Sequence, residues 1–366
     1  MKDAIIIGAG QAGLSIGREM QKAGYDFLIL DSAKEIGASW LKRWDSLKLF
    51  TPTEYNHLQD LEFPMENGAY PDKYQVADYF KKYVEHFNLP VVLSTLVQKV
   101  SKTDETFTLT TSNGIMQSKS VIIATGPFHT PFTPSFSKNI SEDVLQIHSK
   151  HYLNPEQLQD GDTLVVGAGD SGVQILDEVS NSGRKTYFSG NTKISTIPQE
   201  FLGKTLWWWF KKTGFLTVNK YSLIGKKLSK TMQPIIGTNV KEILSRNNVE
   251  AVGRSLNSDG DSIQFEKKTV KGIKNIIWAT GFKPNFSWIE GIQLDEEGYP
   301  KNFRGVSDME NLFFIGLPWM YTRGSATLGG VAKDSKYLIK QIEKTLIKSN
   351  NTQSSDIPTV EYENAV

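Results

Sequence analysis

Ile6-Ile7-Gly8-Ala9-Gly10-Gln11-Ala12-Gly13 is the stretch of sequence that decides the fold of this chain. An apolar β-branched run leads directly into Gly-x-Gly-x-x-Gly, the pattern of a strand–turn–helix unit that binds the phosphates of a dinucleotide. The same pattern returns as Val165-Val166-Gly167-Ala168-Gly169-Asp170-Ser171-Gly172. One match is a weak signal, but two matches in one chain predict two nucleotide-binding units.

A second pair of motifs indicates that a whole unit is repeated. Ala124-Thr125-Gly126 follows the first glycine motif, and Ala279-Thr280-Gly281 follows the second after nearly the same length of chain. This repeat predicts an α/β protein with two Rossmann-like dinucleotide-binding domains, the second inserted in the first. Two such sites in one chain indicate electron transfer between two dinucleotides.

The expected domain boundaries follow from the positions of these motifs. We expect the first domain to begin with residues 1–150 and to be completed by residues 285–348, after the second domain over residues 151–284. The prolines after Gly126 indicate the linker between the two domains. A helix is expected over about Ala332–Lys348, and the polar residues 349–366 are expected to form a flexible tail.

Composition limits the possible classes of protein. The 366 residues carry a net charge of +1, which gives no reason to expect nucleic acid or an anionic membrane surface as a partner. No apolar run reaches the roughly 20 residues of a membrane-spanning helix, and the chain runs from Met1 straight into a strand without a signal peptide, so a cytoplasmic protein is predicted. The absence of cysteine excludes a thiol relay, and five scattered histidines predict no metal site.

Three further segments of the first unit are candidate cofactor contacts. Asp31 ends the second predicted strand, where an acid binds the adenosine ribose; the alternative is a helix-capping or turn aspartate. Residues 36–50 are rich in aromatic and basic side chains, most densely over residues 36–47, that suit an isoalloxazine ring and phosphates; the alternative is a loop whose tryptophans pack on the core. The turn 328–330 precedes the last helix, whose N-terminus would stabilise a reduced flavin; the alternative is an ordinary helix cap.

Taken together, these motifs resemble the flavin-containing monooxygenases of the small bacterial type, and the chain is also similar to the indole-pyruvate monooxygenases. The segments that carry the resemblance span nearly the whole chain in family order: Gly8–Gly13, Ser39–Leu47, His148–Tyr152, Gly167–Gly172, Ala279–Pro284 and Gly316–Gly330. The resemblance implies that FAD binds the first unit and that NADPH or NADH binds the second. It also implies a flavin C4a-hydroperoxide that oxygenates a soft nucleophile (thioether, amine or indole) or a ketone.

Two other activities stay open at this stage: an uncoupled NAD(P)H oxidase or electron-transfer reductase, and a non-catalytic flavin-loaded redox sensor. The implied partners are O2 and a small apolar substrate, and a homodimer is one of the oligomeric states left open. The family fingerprint retains His148 and Tyr152 but has Glu142 and Val144 in place of its phenylalanine and glycine. Baeyer–Villiger relatives carry tryptophan at the position of Tyr152, so the resemblance favours heteroatom oxygenation and leaves ketone oxidation open. It also implies that His148 links the domains.

Relatives that require NADPH place an arginine after the second strand of the nucleotide unit, and this chain has none there. We therefore expect relaxed cofactor preference, with Ser189, Asn191 or Lys193 near the ribose. Many relatives also hold the flavin–oxygen intermediate with an asparagine, for which Thr51 and Asn56 are the candidates. Trp207-Trp208-Trp209 has three interpretations: a wall of the path to the site for an apolar substrate, a core helix, or a membrane contact.

The candidate residues are therefore as follows. The possible catalytic positions are Thr51 and Asn56, and no metal ligand is predicted. The predicted contacts of the first cofactor are Gly8, Gly10, Gln11, Ala12, Gly13, Asp31, Ser39, Trp40, Arg43, Trp44, Ala124, Thr125, Gly126, Gly316, Leu328 and Gly329. The predicted contacts of the second cofactor are Gly167, Gly169, Asp170, Ser171, Gly172, Ser189, Asn191, Ala279, Thr280 and Gly281.

Overall fold

The computed structural model describes residues 1–231 and 233–354, with side chains described through residue 346. The strands are β1 (Lys2–Ile7), β2 (Phe27–Leu30), β3 (Val91–Val92), β4 (Val97–Thr103), β5 (Thr106–Thr111), β6 (Gly114–Ile123), β7 (Thr130–Pro131), β8 (Leu145–His148), β9 (Thr163–Val166), β10 (Thr186–Ser189), β11 (Thr196–Ile197), β12 (Glu200–Phe201), β13 (Lys204–Thr205), β14 (Ile235–Ile236), β15 (Val249–Gly253), β16 (Ser255–Asp259), β17 (Ser262–Phe265), β18 (Thr269–Lys271), β19 (Asn275–Trp278), β20 (Phe282–Lys283), β21 (Asn302–Phe303), β22 (Val306–Ser307) and β23 (Leu312–Phe314). The α-helices are α1 (Gln11–Lys22), α2 (Ala38–Leu41), α3 (Lys73–Phe87), α4 (Asp170–Asn181), α5 (Leu206–Lys212), α6 (Leu223–Ser229), α7 (Val240–Leu244) and α8 (Ala332–Ser354).

The first sheet has β1 near its centre, hydrogen-bonded in parallel to β2 and β6. The order along the sheet is β21-β22-β23-β6-β1-β2-β3, and β5 pairs with both β4 and β6. The central strands are apolar on both faces because helices α1, α3 and α8 and the β4–β5–β6 layer cover them. The predicted strand, turn and helix around Gly8–Gly13 are therefore the centre of this unit.

The second sheet is fully parallel, with the order β15-β10-β9-β19-β8. Strand β9 leads into the second glycine turn and α4, and the chain then returns through β20 to the first sheet, where β23 pairs with β6. The predicted architecture, two Rossmann-like units with the second inserted in the first, is confirmed. One detail differs from the expected boundary at residue 150: β8 already belongs to the second sheet, because Leu145–His148 pairs with β19.

Local sequence patterns account for several elements. The amphipathic segment after Asp72 is α3, which begins with a capping box between Asp72 and Gln75. The Asn113-Gly114 turn joins β5 and β6. The terminal helix runs to Ser354, beyond the expected end at Lys348, and residues 355–366 of the expected tail lie outside the described residues.

The second unit carries two additions to its parallel sheet. Residues 196–236 form the β11–β14 and β12–β13 pairs together with α5 and α6, and β16–β17–β18 form an antiparallel sheet after β15. Among residues 1–231 and 233–354, no helix combines the length and apolar character needed to cross a bilayer.

Candidate functional site

The third glycine of each nucleotide motif is required by close packing. A Cβ on Gly13 would lie 1.8 Å from the carbonyl oxygen of Gly8, and a Cβ on Gly172 would lie 2.0 Å from that of Gly167. Gly8 and Gly167 themselves have φ of +108° and +125°, a region that favours glycine. The turns therefore hold α1 and α4 tightly against the ends of β1 and β9.

Neither backbone conformation nor packing requires glycine at the middle positions, Gly10 and Gly169. Both have extended backbone angles that any residue adopts, and an added Cβ would have no neighbour within 4 Å. Neither helix has a side-chain N-cap, so no capping side chain occupies the N-terminus of α1 or α4. This open, uncapped cradle fits a pyrophosphate, which needs close backbone approach and the positive end of a helix.

The Ala-Thr-Gly motifs occupy equivalent places in the two units. A Cβ on Gly8 would lie 2.6 Å from the carbonyl oxygen of Ala124, and a Cβ on Gly167 would lie 2.2 Å from that of Ala279. Each motif thus forms the neighbouring wall of its glycine turn. The repeat inferred from spacing is a repeat of atomic contacts.

Asp31 connects the first turn to the strand beside it. One carboxylate oxygen accepts a hydrogen bond from the Ala9 N–H at 2.7 Å, and the other accepts from the Ala33 N–H at 2.8 Å. The side chain therefore stabilises the glycine turn and stays half-exposed at its rim. A ribose contact at this position remains a prediction.

Three distant segments meet beside the first glycine turn. Gly316 has φ of +82° and packs so closely on α1 that a Cβ would lie 2.6 Å from the Ala12 Cβ. The Gln11 side chain donates to the carbonyl of Ala326 at 3.2 Å. A Cβ on Gly329 would lie 1.8 Å from the Tyr55 carbonyl oxygen. The last turn before α8 is therefore joined to the first glycine motif and to the loop 51–56.

Thr51 and Asn56 lie in that loop, and their roles remain predictions. The Asn56 amide donates to the carbonyls of Thr51 and Pro52, at 2.6 and 3.3 Å, so both of its N–H groups close the loop. Asn56 is 1% exposed, whereas Thr51 is half-buried. Of the two candidates, Thr51 is the one that the loop leaves accessible.

The aromatic and basic segment 36–47 divides between two environments. Trp44 inserts into the core of the second unit beside Tyr152 and Phe188, with its indole nitrogen buried and unpartnered. The alternative interpretation, a tryptophan that packs on a core, thus describes Trp44. Trp40 packs against the first core, and Ser39 is exposed.

Arg43 is the side chain of this segment that suits an anionic ligand. Its guanidinium lies over the rings of Phe128 and Phe282, at 5.2 and 6.0 Å from their centroids. Burial lowers its pKa, and none of the described residues forms a hydrogen bond or ion pair with its guanidinium. Because Phe128 and Phe282 belong to the two segments that connect the units, this uncompensated positive charge lies at the junction of the two nucleotide sites.

Lys73 supports this segment and was missed by the sequence patterns. Its ammonium is buried and donates to the carbonyls of Leu41 and Arg43 and to the Asp45 carboxylate, at 3.2, 2.6 and 2.6 Å. Asp45 also accepts from the Asn154 amide of the second unit at 2.7 Å. A lysine in the first turn of a helix gives no sequence signal for this burial.

Two histidines join the segments that connect the units. His148 contacts the Gly281 carbonyl through Nε2 at 2.9 Å and accepts the Lys150 N–H at Nδ1. His129 accepts the Asn285 N–H at Nδ1 and contacts the Thr125 hydroxyl through Nε2. Burial lowers the pKa of both imidazoles. Their ring nitrogens are engaged in holding the crossing segments.

The β7–β20 pair and two further hydrogen bonds complete this junction. Phe132 donates to the Gly281 carbonyl at 3.0 Å, and the Thr280 hydroxyl donates to the Phe132 carbonyl. Thr125 and Thr280, both predicted cofactor contacts, therefore use their hydroxyls within the junction.

The predicted ribose contacts of the second unit differ from one another. The Ser189 hydroxyl is buried in hydrogen bonds with Ser255 and faces inward, whereas Asn191 is exposed. Arg254 lies next to Gly253, which is the register partner of Ser189 on the parallel strand β15. Its side chain is 73% exposed, and its Nε lies 4.0 Å from the Glu266 carboxylate. The chain has no arginine directly after β10, but Arg254 lies at the end of the adjacent strand β15.

Asp170 and Arg323 connect the two units electrostatically. Asp170 is the first residue of α4, and Arg323 begins the 3-10 helix Arg323–Ala326 of the first unit. Restricted hydration raises the pKa of Asp170, and the positive charge of Arg323 acts in the opposite direction. Asp170 is nevertheless solvent-accessible, as expected for a group in a cleft. Within the described part of the chain, no group of metal-ligating side chains is found.

The fold and these two cradles define an oxidoreductase of the two-dinucleotide type. The profile of a family described as pyridine nucleotide-disulphide oxidoreductase matches residues 5–200. An oxidoreductase named CzcO-like, from Geobacillus kaustophilus, is 42% identical over 341 residues, covering 93% of this chain and 98% of that protein. The chain therefore belongs to the pyridine nucleotide-disulphide oxidoreductase family.

Two further similarities are to monooxygenases. The flavin-containing monooxygenase from Stenotrophomonas maltophilia has a TM-score of 0.78 at 25% identity, covering 94% of this chain and 98% of that chain. The probable indole-3-pyruvate monooxygenase YUCCA7 from Arabidopsis thaliana is 25% identical over 359 residues, covering 85% of this chain and 83% of that protein. The expectation of an enzyme of the flavin-monooxygenase type is confirmed at the level of class.

Proposed function

We propose that the chain is an FAD-dependent NAD(P)H:oxygen oxidoreductase that transfers one oxygen atom to a soft nucleophile: a thioether, an amine or an indole. The observation that carries the proposal is the pair of open, uncapped cradles at Gly10 and Gly169, which neither the backbone nor packing explains. One cradle fits a resident flavin dinucleotide, and the other fits a nicotinamide dinucleotide. A ketone remains a further class of substrate.

The residues that would hold each dinucleotide follow from the two turns. FAD would lie on Gly8–Gly13 and beside Asp31 and the turn 328–330, and NAD(P)H would lie on Gly167–Gly172. When bound, FAD accepts a hydride from the nicotinamide and activates O2. In the overall balance, NAD(P)H and a proton supply two electrons and two hydrogens, one oxygen atom enters the substrate, and the other leaves as water.

The chain itself contributes charge, orientation and an apolar wall. Arg43 places positive charge at the junction, where no carboxylate among the described side chains neutralises it. Trp207 packs on Phe50, with ring centroids 5.6 Å apart, and belongs to the same apolar cluster as Tyr55. This wall adjoins the loop 51–56 and excludes water from its side, so we expect apolar substrates of moderate size.

One observation favours the second candidate function, an NAD(P)H oxidase that releases peroxide. Both N–H groups of Asn56 are used by the carbonyls of its own loop. The amide is therefore not free to stabilise a flavin–oxygen species, which leaves only Thr51 for that role. Weak stabilisation would allow peroxide to leave before it meets a substrate.

The deciding experiment is anaerobic reduction of the flavin-loaded protein by NADH and by NADPH, followed by rapid mixing with O2. A transient absorbance characteristic of a flavin C4a-hydroperoxide, shortened by a thioether substrate, is the expected result. Direct return to oxidised flavin with stoichiometric peroxide would contradict oxygenation and favour the oxidase. Failure of both nicotinamides to reduce the flavin would exclude both enzymes and favour a redox sensor.

A further inference from the structure

A lysine-rich segment of the second unit is unlike the rest of the chain. Residues 201–230 contain no aspartate or glutamate, although the whole chain is almost neutral at +1. The segment includes the β12–β13 turn, α5 and α6. Its lysines are Lys204, Lys211, Lys212, Lys220, Lys226, Lys227 and Lys230.

Six of these lysines carry uncompensated charge at the surface. Lys204, Lys211, Lys212, Lys226, Lys227 and Lys230 are exposed, and none forms an ion pair with the described residues. Lys204 and Lys212 lie over the Trp208 ring, at 5.9 and 5.6 Å from its centroid. Lys220 differs, because it is half-buried and faces the charges of Asp295 and Asp334.

The same segment exposes large apolar side chains at two tips. Leu202 is 75% exposed and Phe201 is 55% exposed at the turn between β12 and β13. Leu223 is 89% exposed and Ile224 is 64% exposed at the start of α6. At each tip two neighbouring apolar side chains are exposed together, and adjacent apolar groups beside unpaired lysines are typical of an interaction surface.

The geometry of α6 explains why its apolar residues point outward. Gly225 is the buried residue of the helix, and a Cβ there would lie 1.8 Å from the carbonyl oxygen of Asn219. The helix therefore rests on the protein through its glycine backbone. Leu223 and Lys227 are four residues apart and share one exposed face of the helix.

We propose that residues 201–230 bind the surface of an anionic lipid bilayer. The unpaired ammonium groups complement lipid phosphates, and the aliphatic tips are suited to the boundary between headgroups and acyl chains. Half-buried tryptophans such as Trp208 are favoured at that boundary. A nucleic acid would use the lysines but would gain nothing from Leu223 and Ile224, so a lipid surface fits both features.

This surface lies close to the candidate site, so it could deliver an apolar substrate; this step rests on the proposed function. Trp207 of α5 belongs to the apolar cluster that includes Phe50 and Tyr55, beside the candidate oxygenation loop. Trp209 of the same helix donates from its indole nitrogen to the Phe201 carbonyl at 2.9 Å. The helix thus links an exposed tip to the wall of the site, and an apolar substrate would reach the site from the membrane.

Vesicle flotation of the flavin-loaded protein tests the binding itself, independently of any oxygenase activity. We expect binding to phosphatidylglycerol vesicles at low salt, release by high salt, and no binding to phosphatidylcholine vesicles. Lys226→Ala with Lys227→Ala should weaken partitioning roughly 30-fold. Leu223→Ser with Ile224→Ser, and separately Phe201→Ser with Leu202→Asn, should also weaken it.

Two matched substitutions control for surface charge and apolarity elsewhere. Lys271→Ala removes an exposed lysine of β18, and Ile115→Ser removes a 72% exposed isoleucine of β6; both should bind like the wild type. Unchanged flavin content and thermal unfolding exclude misfolding of each variant. Loss of binding in the control variants, unchanged binding in the apolar double variants, or tight binding of tRNA without vesicle binding would each overturn the proposal.

Discussion

At the scale of single residues, glycine has three separate purposes in the two nucleotide turns. Gly8 adopts a positive φ, Gly13 allows a helix to contact a strand end, and Gly10 meets neither requirement. A position where any side chain would fit, yet which faces open space at a helix N-terminus, is explained by a ligand. In the second turn, Gly167, Gly172 and Gly169 correspond in that order to Gly8, Gly13 and Gly10.

Gly169→Ala therefore separates ligand binding from stability. Because nothing lies within 4 Å of the added Cβ, we expect the melting temperature of the protein without nicotinamide to change by less than about 2 °C. The methyl group would obstruct the pyrophosphate, so the KM for NAD(P)H should rise at least roughly tenfold. Gly172→Ala is the comparison, since its Cβ would overlap the Gly167 carbonyl and lower stability. Equal KM values for Gly169→Ala and wild type would contradict the cradle.

Arg254 is expected to distinguish the two nicotinamides. It is exposed at the end of β15, beside the end of β10, where the adenosine ribose would lie. Arg254→Ala should raise the KM for NADPH roughly tenfold by removing a charge-assisted phosphate contact, and leave NADH unchanged. Lys271→Ala, which removes an exposed lysine from the antiparallel sheet that follows Arg254 in the chain, serves as the control. If both nicotinamides respond equally to Arg254→Ala, the residue does not contact the 2′-phosphate.

At the scale of elements, local sequence patterns indicate the turns, helices and hairpins whose formation depends on residues close by in the sequence. The two turns, α3 and the β5–β6 hairpin each contain their own signal in spacing, capping or turn residues. Lys73, Trp44 and Ser189 could not be placed in this way, because each is buried by residues far away along the chain. The candidate site was thus predictable as two glycine turns, whereas its charged surroundings depend on tertiary contacts.

The connecting segments should weaken in mild acid because two histidines, the buried His148 and the half-buried His129, hold them. Burial and the nearby charges of Lys150 and Arg43 lower the pKa of His148 below its ordinary value near 6.5. A lowered folded-state pKa means that the stabilisation is present above the unfolded-state pKa and is lost as pH falls through the folded-state value. Protonation at Nδ1 would also break the hydrogen bond from the Lys150 N–H.

Thermal unfolding followed from pH 8 to pH 5 measures this effect. We expect the wild type to lose stability below about pH 6.5. His148→Gln should show a smaller decline, because glutamine does not titrate. His86→Gln, which replaces an exposed histidine on α3, should retain the decline of the wild type. A decline identical in all three proteins would exclude His148 as its source.

At the scale of the whole molecule, function depends on how the two units face each other. The units share a junction built from β7, β20, Arg43 and two histidines, and the second unit also receives Trp44 from the first. Hydride transfer requires the two dinucleotides to approach, so charges at the junction influence both cradles. Asp170 and Arg323 belong to different units and interact through their charges.

This cross-unit interaction predicts a specific pattern in a double-mutant cycle. The Asp170 carboxylate begins α4, where it favours the positive helix end but repels the pyrophosphate of NAD(P)H. Arg323 offsets that repulsion, so Arg323→Gln alone should raise the KM for NAD(P)H about threefold to tenfold. Once Asp170→Asn has removed the negative charge, the same substitution should have a smaller effect.

The cycle is measured as flavin reduction under anaerobic conditions, which isolates nicotinamide binding from the reaction with O2. The observed reduction rate at saturating NAD(P)H should change less than the apparent dissociation constant, because these charges act on binding. If Arg323→Gln has the same effect with Asp170 and with asparagine at position 170, the two residues act independently. In that case Arg323 contacts the cofactor directly, and the coupling of the two units depends on the crossing segments alone.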